Sequence, residues 1–337
     1  MNTTTPPAHL TPAALGARAP QKEAQRLLAG RFDARVLEPS PPTIDDEPWF
    51  ADDPTDPTGA EHPVVGPTSA TALTWDRWLG DFPEQAEWAA ERWLGAYRRL
   101  GVPPTTLTDT REALHRLGVY VLSPARRRVN GKIALRWTLG GIGTPFFGAD
   151  EQVRVAGTWL VRQIGAAATA VPITSLSEMA ALVLGTPPDL EWAAEFEVPD
   201  AGDVDAQLDV DSAAAIWLGD WYGFAYSVLE QLRADDASVD AGRVQLWVEH
   251  FDAAFECLPP ASGRRAGYGV SPGDAAHPEP YLYVAPWNFD QVPQSDLWNA
   301  TAFNGALLPL SSLLDAPDQR EFALAWFRER RAALIQK

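Results

Sequence analysis

One short segment, LWVEHFDAAFE at residues 246–256, places three polar side chains that could do chemistry within four residues: Glu249, His250 and Asp252. A histidine beside a carboxylate is a common pair for general acid–base catalysis. We expect the segment to belong to a strand from about Val244 to Phe255, in which side chains two apart share a face. On that geometry His250 and Asp252 lie together, whereas Glu249 points to the other side.

A second segment, HPEPYLYV at residues 277–284, alternates in the same way. One face of it carries His277, Glu279, Tyr281 and Tyr283. If this segment pairs with the first one, four side chains meet on one surface and form the predicted catalytic set: His250, Asp252, His277 and Glu279. Two histidines and two carboxylates suit a divalent metal ion or an acid–base pair with shifted pKa values. A slip of one residue would separate them, so a hydrogen-bonded polar face with no catalytic role is the alternative.

The connection between these segments contains GYGVSPGD, residues 267–274, which ends in a Pro-Gly turn. Residues of this kind are typical of a loop that can close over a ligand, and we expect Tyr268 and Asp274 to point into such a site. Tyr281 and Tyr283 on the following strand would complete it. A plain hairpin connection is the alternative.

Two further strands are predicted on either side of a glycine-rich connection. KIALRWT at 132–138 and EQVRVAG at 151–157 alternate polar and apolar residues, which places Arg136 and Arg154 on one polar face. Two arginines there could anchor a carboxylate or phosphate of a small ligand, or pair with the acidic stretch at 189–211. The connection itself does not predict a phosphate loop, because its glycines are followed by a proline and two phenylalanines and not by a helix.

The composition excludes several functional classes. The chain of 337 residues has a formal net charge of -18, which repels nucleic acids and anionic membrane surfaces. Cys257 is its only cysteine, so an intrachain disulfide and a cysteine-based zinc site are excluded. No long apolar run predicts a membrane span, and the N-terminus lacks a signal-peptide pattern. We therefore expect a soluble cytoplasmic protein; no motif specifies a cofactor, a metal or an oligomeric state.

The elements that must position these residues predict an α+β fold. Residues 1–70 are rich in proline and acidic residues and are expected to be irregular, and residues 71–337 are expected to form one domain. In that domain we expect an antiparallel sheet covered by aromatic-rich helices. Periodicity and capping residues predict helices at 83–101, from Asp109 to just before Pro124, after Thr174 or Ser175, at 212–233 and behind Asp315.

Several longer segments resemble a bacterial family of uncharacterised proteins, a domain of unknown function. They are LSPARRRVNGKIALRWTLGGIGTPFFG, DWYGFAYSVLEQLR, LWVEHFD and GYGVSPGDAAHPEPYLYVAPW, and the resemblance spans residues 105 to 330 approximately. This resemblance implies a soluble α+β domain. It implies no reaction and no catalytic residues.

Three functions are compatible with these patterns. The first is the binding of a small molecule in a pocket between sheet and helices, near Arg136, Arg154, His250 and Tyr281, which the many aromatic residues favour. The second is an enzyme, with or without a metal ion, that uses the four predicted catalytic residues. The third is a protein-interaction module whose acidic surface and proline-rich N-terminal segment contact a partner chain. We favour the first.

Overall fold

Helices and two antiparallel sheets make up the computed structural model of the chain. The structure describes residues 100–138, 141–145, 147, 151–164, 167–196, 198–258 and 264–335. The α+β class predicted from the sequence is confirmed. The irregular segment predicted at 1–70, and all but the end of the helix predicted at 83–101, lie outside the described residues.

The helices predicted after Thr174 or Ser175, at 212–233 and behind Asp315 are present close to their predicted positions. The predicted cap at Ser175 is formed, since its Oγ accepts from Glu178 N. Asp211, which was not predicted as a cap, also accepts through Oδ1 from Ala214 N. The helices are α1 Leu107–Leu117, α2 Ser123–Asn130, α3 Leu176–Leu184, α4 Leu190–Ala193, α5 Ser212–Ala234, α6 Leu310–Leu314 and α7 Gln319–Ala333. Within the part of the chain that is described, no helix is long and apolar enough to cross a membrane.

The first helical stretch differs from the prediction at both ends. It begins at Leu107 and not at Asp109, and it continues through a π-helical turn, Gly118–Leu122, directly into α2. Pro124 lies in the first turn of α2, just after the wider π turn. There its missing N–H and its ring disturb the helical hydrogen bonds least. The helical stretch therefore passes the proline that predicted its end.

The first sheet is an antiparallel meander of five strands in chain order. Its strands are β1 Arg136–Thr138, β2 Gly141–Gly143, β3 Glu151–Ala156, β4 Trp159–Ile164 and β5 Ala167–Pro172. The register aligns one apolar row across it: Trp137, Ile142, Val155, Leu160 and Val171. Trp137 donates from Nε1 to Gly219 O of α5, so this face packs on that helix. The glycine-rich connection expected between two strands itself supplies β2.

The second sheet contains the segments with the predicted catalytic residues. Its five strands are also antiparallel neighbours in chain order: β6 Gln245–Trp247, β7 Asp252–Cys257, β8 Ala266–Ser271, β9 Tyr281–Pro286 and β10 Ala306–Pro309. A short 3₁₀ helix, Phe289–Gln291, follows β9. One backbone bridge, Leu135 to Leu246, joins the two sheets edge to edge, and α5 contacts both of them.

Two predictions about the second sheet are wrong. The strand predicted from Val244 to Phe255 is broken by a tight turn at 248–251, and its halves, β6 and β7, pair with each other. The predicted loop GYGVSPGD supplies β8, which separates β7 from β9. The cause of the first error is local, because Phe251 has a left-handed backbone with φ of +55° that reverses the chain.

The core of this half of the fold lies between the inner face of the second sheet and α5. Alternate residues of β7, β8 and β9 are buried on that face: Ala253, Phe255, Tyr268, Val270, Leu282 and Val284. From α5, Trp221, Tyr222 and Phe224 are fully buried against them and the first sheet. Burial of a large apolar side chain contributes about 1.5–3 kcal/mol, so the inner face stabilises the sheet and leaves the outer face available for polar groups.

Candidate functional site

A tyrosine on β9 crosses strand β8 and reaches an aspartate on β7. Gly269 of β8 lies opposite Ala254 on one side and Tyr283 on the other. Because Gly269 has no side chain, the Tyr283 ring lies over it; a Cβ at this position would be 2.2 Å from Cζ of the ring. The Tyr283 hydroxyl donates to Oδ2 of Asp252. Two strands that are not neighbours are thus linked on the outer face of the sheet.

Asp252 is a buried carboxylate with one oxygen unused. Its exposed fraction is 5%, and its Oδ1 has no hydrogen-bond partner among the described residues. Burial raises the pKa of Asp252 from 3.8 to about 6, although the hydrogen bond from Tyr283 and the charge of His250 both lower it. Buried acids with a pKa displaced toward neutrality are concentrated at catalytic and binding sites.

The residue before Asp252 is held in a strained conformation. Phe251 is a bulky, buried residue with a positive φ, which costs about 1–2 kcal/mol relative to an ordinary backbone. Its N–H donates to Trp247 O at 2.7 Å, and its carbonyl accepts from the Tyr222 hydroxyl of α5 at 2.5 Å. The turn and the long helix together hold Phe251 in place, and thereby set the position of Asp252.

Helix α1 supports the same turn through His115. The His115 ring stacks on Phe251 with ring centroids 4.7 Å apart, and Nε2 lies 2.7 Å from Val248 O. Burial lowers the pKa of His115 to about 4. The ring is therefore neutral near pH 7, and its Nε2–H donates to the carbonyl. His115 therefore positions the turn as a neutral donor and carries no positive charge at neutral pH.

Arg111, one helical turn before His115, connects α1 to the loop between β8 and β9. Its side chain is buried, and Nη1 lies 3.5 Å from Pro278 O. Gly273 allows this approach, because a Cβ there would be 2.3 Å from Pro278 O and 2.8 Å from Arg111 Nη1. Its φ of +92° is also a conformation that glycine adopts without strain. The ion pair of Arg111 with Glu112, at 3.5 Å, involves a carboxylate that is mostly exposed.

The Tyr222 hydroxyl lies in the field of Asp252 and Arg111. Burial and the charge of Asp252 raise the pKa of Tyr222 well above its ordinary value, and the charge of Arg111 partly offsets this. Tyr222 therefore stays protonated at any ordinary pH. Its single proton is committed to the Phe251 carbonyl.

Asp274, Tyr281 and Tyr283, three of the predicted ligand-binding residues, form a chain of contacts that ends at Asp252. Asp274 Oδ1 accepts from two backbone N–H groups of its own loop at 2.7 Å, and its Oδ2 accepts from the Tyr281 hydroxyl at 2.6 Å. The Tyr281 and Tyr283 rings lie 6.1 Å apart. Burial, followed by the hydrogen bond to Asp274, raises the pKa of Tyr281. Tyr281 thus ties the loop to the Tyr283–Asp252 pair.

His277 and Glu279, two of the four predicted catalytic residues, are engaged within this loop. His277 Nδ1 lies 2.8 Å from Glu279 O, and its ring packs edge-on against Tyr281 with centroids 5.0 Å apart. Glu279 Oε1 accepts from Ser311 N in the first turn of α6. His277 and Glu279 therefore hold the loop and α6 in place. Strand β8 separates β9, which follows this loop, from β7.

The turn before β7 places Glu249 and His250 differently from the prediction. His250 is exposed and does not share a strand face with Asp252, because β6 ends at Trp247. Glu249 is half-buried, and its Oε2 is buried with no hydrogen-bond partner among the described residues. Its charge contributes to the raised pKa of Asp252. The two carboxylates that act on each other are thus Glu249 and Asp252, which strand alternation had separated.

Three residues predicted to bind a ligand lie in other parts of the fold. Arg136 and Arg154 belong to the first sheet, where the register places them on one face as predicted, and both are buried. Arg154 Nη1 donates to Gln152 Oε1 at 3.1 Å. Tyr268 lies on the inner face of β8 and stacks on Phe255 with centroids 5.5 Å apart, so it is a core residue on the opposite side of the sheet from Asp252.

A metal-assisted site finds no support in the geometry. Among the described residues, no three His, Cys, Asp or Glu side chains come together in a way that could hold a metal ion. The predicted set of His250, Asp252, His277 and Glu279 fails for that purpose because the first lies outward at the turn and the last two are engaged in the β8–β9 loop. Carboxylate chemistry at Asp252 does not depend on the other three residues.

Three contributors to this site were not found from the sequence: Arg111, Tyr222 and Glu249. Arg111 had a usable signal, because it lies four residues before His115 in a predicted helix and such pairs share a face. Tyr222 had no such signal, since periodicity cannot show which of the many aromatic side chains on α5 donates a hydrogen bond to a carbonyl. Glu249 was set aside by an alternation that holds only for a continuous strand.

Comparison with known proteins gives no assignment for this chain. No family model matches it, and neither a curated protein nor a solved structure matches it. The resemblance to a bacterial family therefore stays a prediction.

Proposed function

We propose that the protein binds a small polar molecule on the outer face of the second sheet, with Asp252 as the central contact. The observation that carries the proposal is the unpartnered Oδ1 of an almost fully buried carboxylate. A buried polar atom without a partner costs about 1–3 kcal/mol, and more for a charged group. Natural proteins retain such groups where a ligand, a solvent molecule or a reaction uses them.

The hydroxyl groups around Asp252 cannot supply the missing donor. Each tyrosine hydroxyl has a single proton. Tyr283 gives its proton to Oδ2, Tyr222 gives its proton to Phe251 O, and Tyr281 gives its proton to Asp274. The partner of Oδ1 therefore comes from outside these residues, and a donor group on a bound molecule meets that requirement.

The proposed site overlaps only in part with the pocket predicted from the sequence. The sequence favoured a pocket near Arg136, Arg154, His250 and Tyr281. Tyr281 and the turn bearing His250 border Asp252, whereas the two arginines belong to the other sheet. We therefore centre the proposed site on Asp252 and Tyr283 and leave the arginines out of it.

A second candidate function is acid–base catalysis by Asp252. The observation that favours it is the pKa of about 6, because a general acid or base works best when its pKa is close to the operating pH. The unused Oδ1 would take the proton, while Tyr283 holds Oδ2 in place. An enzyme of this kind would still bind its substrate at the proposed site, so both candidates share the first experiment.

Thermal unfolding in the presence of a compound panel tests the proposal. Amines, alcohols, sugars, amino acids, nucleosides and carboxylates would each be added at 5 mM, a concentration on the order of 100 times a micromolar-range dissociation constant, where binding stabilises by about 2.7 kcal/mol. We expect at least one class to raise the melting temperature of the wild type by several degrees and to have little effect on Asp252→Asn. Asp209→Asn, which removes an exposed carboxylate of the acidic stretch at 189–211, is the matched control and should respond like the wild type.

The proposal fails if every stabilising compound acts equally on the wild type and on Asp252→Asn, because binding would then not involve this carboxylate. Stabilising compounds would next be incubated with the protein in D₂O and followed by NMR. Chemical conversion or deuterium incorporation that disappears in Asp252→Asn would favour the enzyme over the binding protein.

A further inference from the structure

The charges around Asp252 define the chemical class of the ligand. We propose that it presents a protonated amine, held between Oδ1 of Asp252 and Oε2 of Glu249. This inference rests on the proposed function, since it names the group that the same site would bind. It adds Glu249 as a second contact, which comes from the turn between β6 and β7.

Two carboxylates come from this turn and from the first residue of β7, directly after it. Oδ1 of Asp252 and Oε2 of Glu249 are both buried, and neither has a hydrogen-bond partner among the described residues. The charge of Glu249 acts on Asp252 in the direction expected for like charges in proximity. The positive charge that acts on Asp252 is that of His250, whose side chain is exposed and therefore well screened by solvent.

An ammonium group satisfies these requirements better than the alternatives. It carries three N–H donors, enough to serve both free oxygens, and its charge offsets that of the carboxylates. A neutral donor would not reduce the repulsion between the two carboxylates. A metal ion would need more ligands than these two side chains, and no suitable group of three exists in the described part of the chain.

Isothermal calorimetry and thermal unfolding with matched probes test this inference. The probes are ethanolamine and 1,4-diaminobutane as chlorides, with ethylene glycol, 1,4-butanediol and sodium propionate at equal ionic strength as controls. We expect an amine, and not the matching diol, to bind the wild type. Asp252→Asn and Glu249→Gln should each weaken binding by tenfold or more. Asp209→Asn, which removes an exposed carboxylate outside the site, should bind as the wild type does.

The pH dependence provides a second readout. Because the amine binds the ionised carboxylates, its affinity should fall by up to tenfold for each pH unit below about 6. Binding that is independent of pH between 5 and 8 contradicts the ammonium contact.

The other outcomes separate this inference from the proposed function. If diols, sugars or propionate bind through Asp252 and the amines do not, the site exists but its ligand is not an ammonium. If magnesium, calcium or zinc chloride binds at Asp252 in preference to the amines, a metal replaces the amine. If amines bind Asp252→Asn and the wild type equally, the interaction is with the acidic surface in general and the inference is wrong. If no compound of either panel binds, both proposals fail.

Discussion

The aromatic ring of Tyr283 occupies the space that a side chain at Gly269 would need. The two residues face each other across β8 and β9, and a Cβ on Gly269 would lie 2.2 Å from Cζ and 2.4 Å from the hydroxyl oxygen. The absence of a side chain on β8 is thus what allows the hydroxyl to reach Asp252 on the next strand but one. The proposed site depends on this relationship as much as on the polar residues themselves.

The first prediction concerns Gly269→Ala. The new methyl group forces the Tyr283 ring away, which removes its hydrogen bond to Asp252 and disturbs the packing of β9, so the free energy of unfolding should fall by about 2–4 kcal/mol. Gly267→Ala is the matched control, because it lies on the same strand and face and its Cβ would meet only Ala285 O at 3.9 Å. The free energy of unfolding of Gly267→Ala should stay within about 1 kcal/mol of that of the wild type. Urea unfolding measures both.

A double-mutant cycle isolates the contact between the two residues. In a Tyr283→Ala background the ring that clashes is gone, so Gly269→Ala should lose most of its cost. An equal cost in both backgrounds would show that the strand itself, and not Tyr283, requires the glycine.

The second prediction concerns Asp252→Asn and its dependence on pH. The pKa of Asp252 is raised from 3.8 to about 6 in the folded protein, mainly by burial. The stability associated with this shift is fully present below pH 4 and is lost as pH rises through 6, a change on the order of 2–3 kcal/mol. Asn cannot ionise, so the free energy of unfolding of the variant, relative to that of the wild type, should increase by that amount between pH 4 and pH 7.

Chemical denaturation of both proteins at pH 4, 5, 6, 7 and 8 measures this difference. A free-energy difference that stays constant across the series would mean that Asp252 titrates at the same pH in the folded and unfolded chain. The expected gain in stability at pH 7 would accompany the loss of ligand binding, as is common when a residue is retained for function at a cost in stability.

The sequence predicted the fold class and several residues of the site, but not the contacts between them. The cap at Ser175 and the bounds of α5 followed from periodicity and short-range hydrogen bonding, which depend on neighbouring residues only. Asp252 and Tyr283 were both named as candidates. Their contact was not foreseen, because it requires β8 between them and a glycine at one register position, and register depends on long-range pairing.

The turn at Phe251 shows the same limit. Alternating residues from 246 to 256 predict one strand, and a bulky aromatic residue gives no local reason to reverse the chain. The reversal is stabilised by contacts from residues far away in sequence, His115 on α1 and Tyr222 on α5. Tertiary contacts therefore override the local preference, and the overridden position adjoins Asp252, as expected where strain is kept for function.

The third prediction concerns His115→Gln and has the opposite sign from that for Asp252. Burial lowers the pKa of His115 from 6.5 to about 4, so its contribution to stability is fully present above pH 6.5 and is lost as pH falls toward 4. The change is on the order of 3 kcal/mol. Gln can still donate to Val248 O but cannot ionise or stack fully on Phe251. We therefore expect the wild type to be more stable at pH 7 by about 1–2 kcal/mol and to lose this advantage as pH falls through 5.

In the wild type, the contributions of His115 and Asp252 to the pH dependence oppose each other between about pH 4 and 6. Each single variant should therefore expose the slope of the residue that remains: stability that falls with rising pH in His115→Gln, and stability that rises with pH in Asp252→Asn. Denaturation curves of the two variants and of the double variant, recorded over the same pH series, separate the two terms. Parallel slopes in the two single variants would contradict the buried, neutral state of His115, because a solvent-exposed histidine would leave no such difference between pH 4 and 6.5.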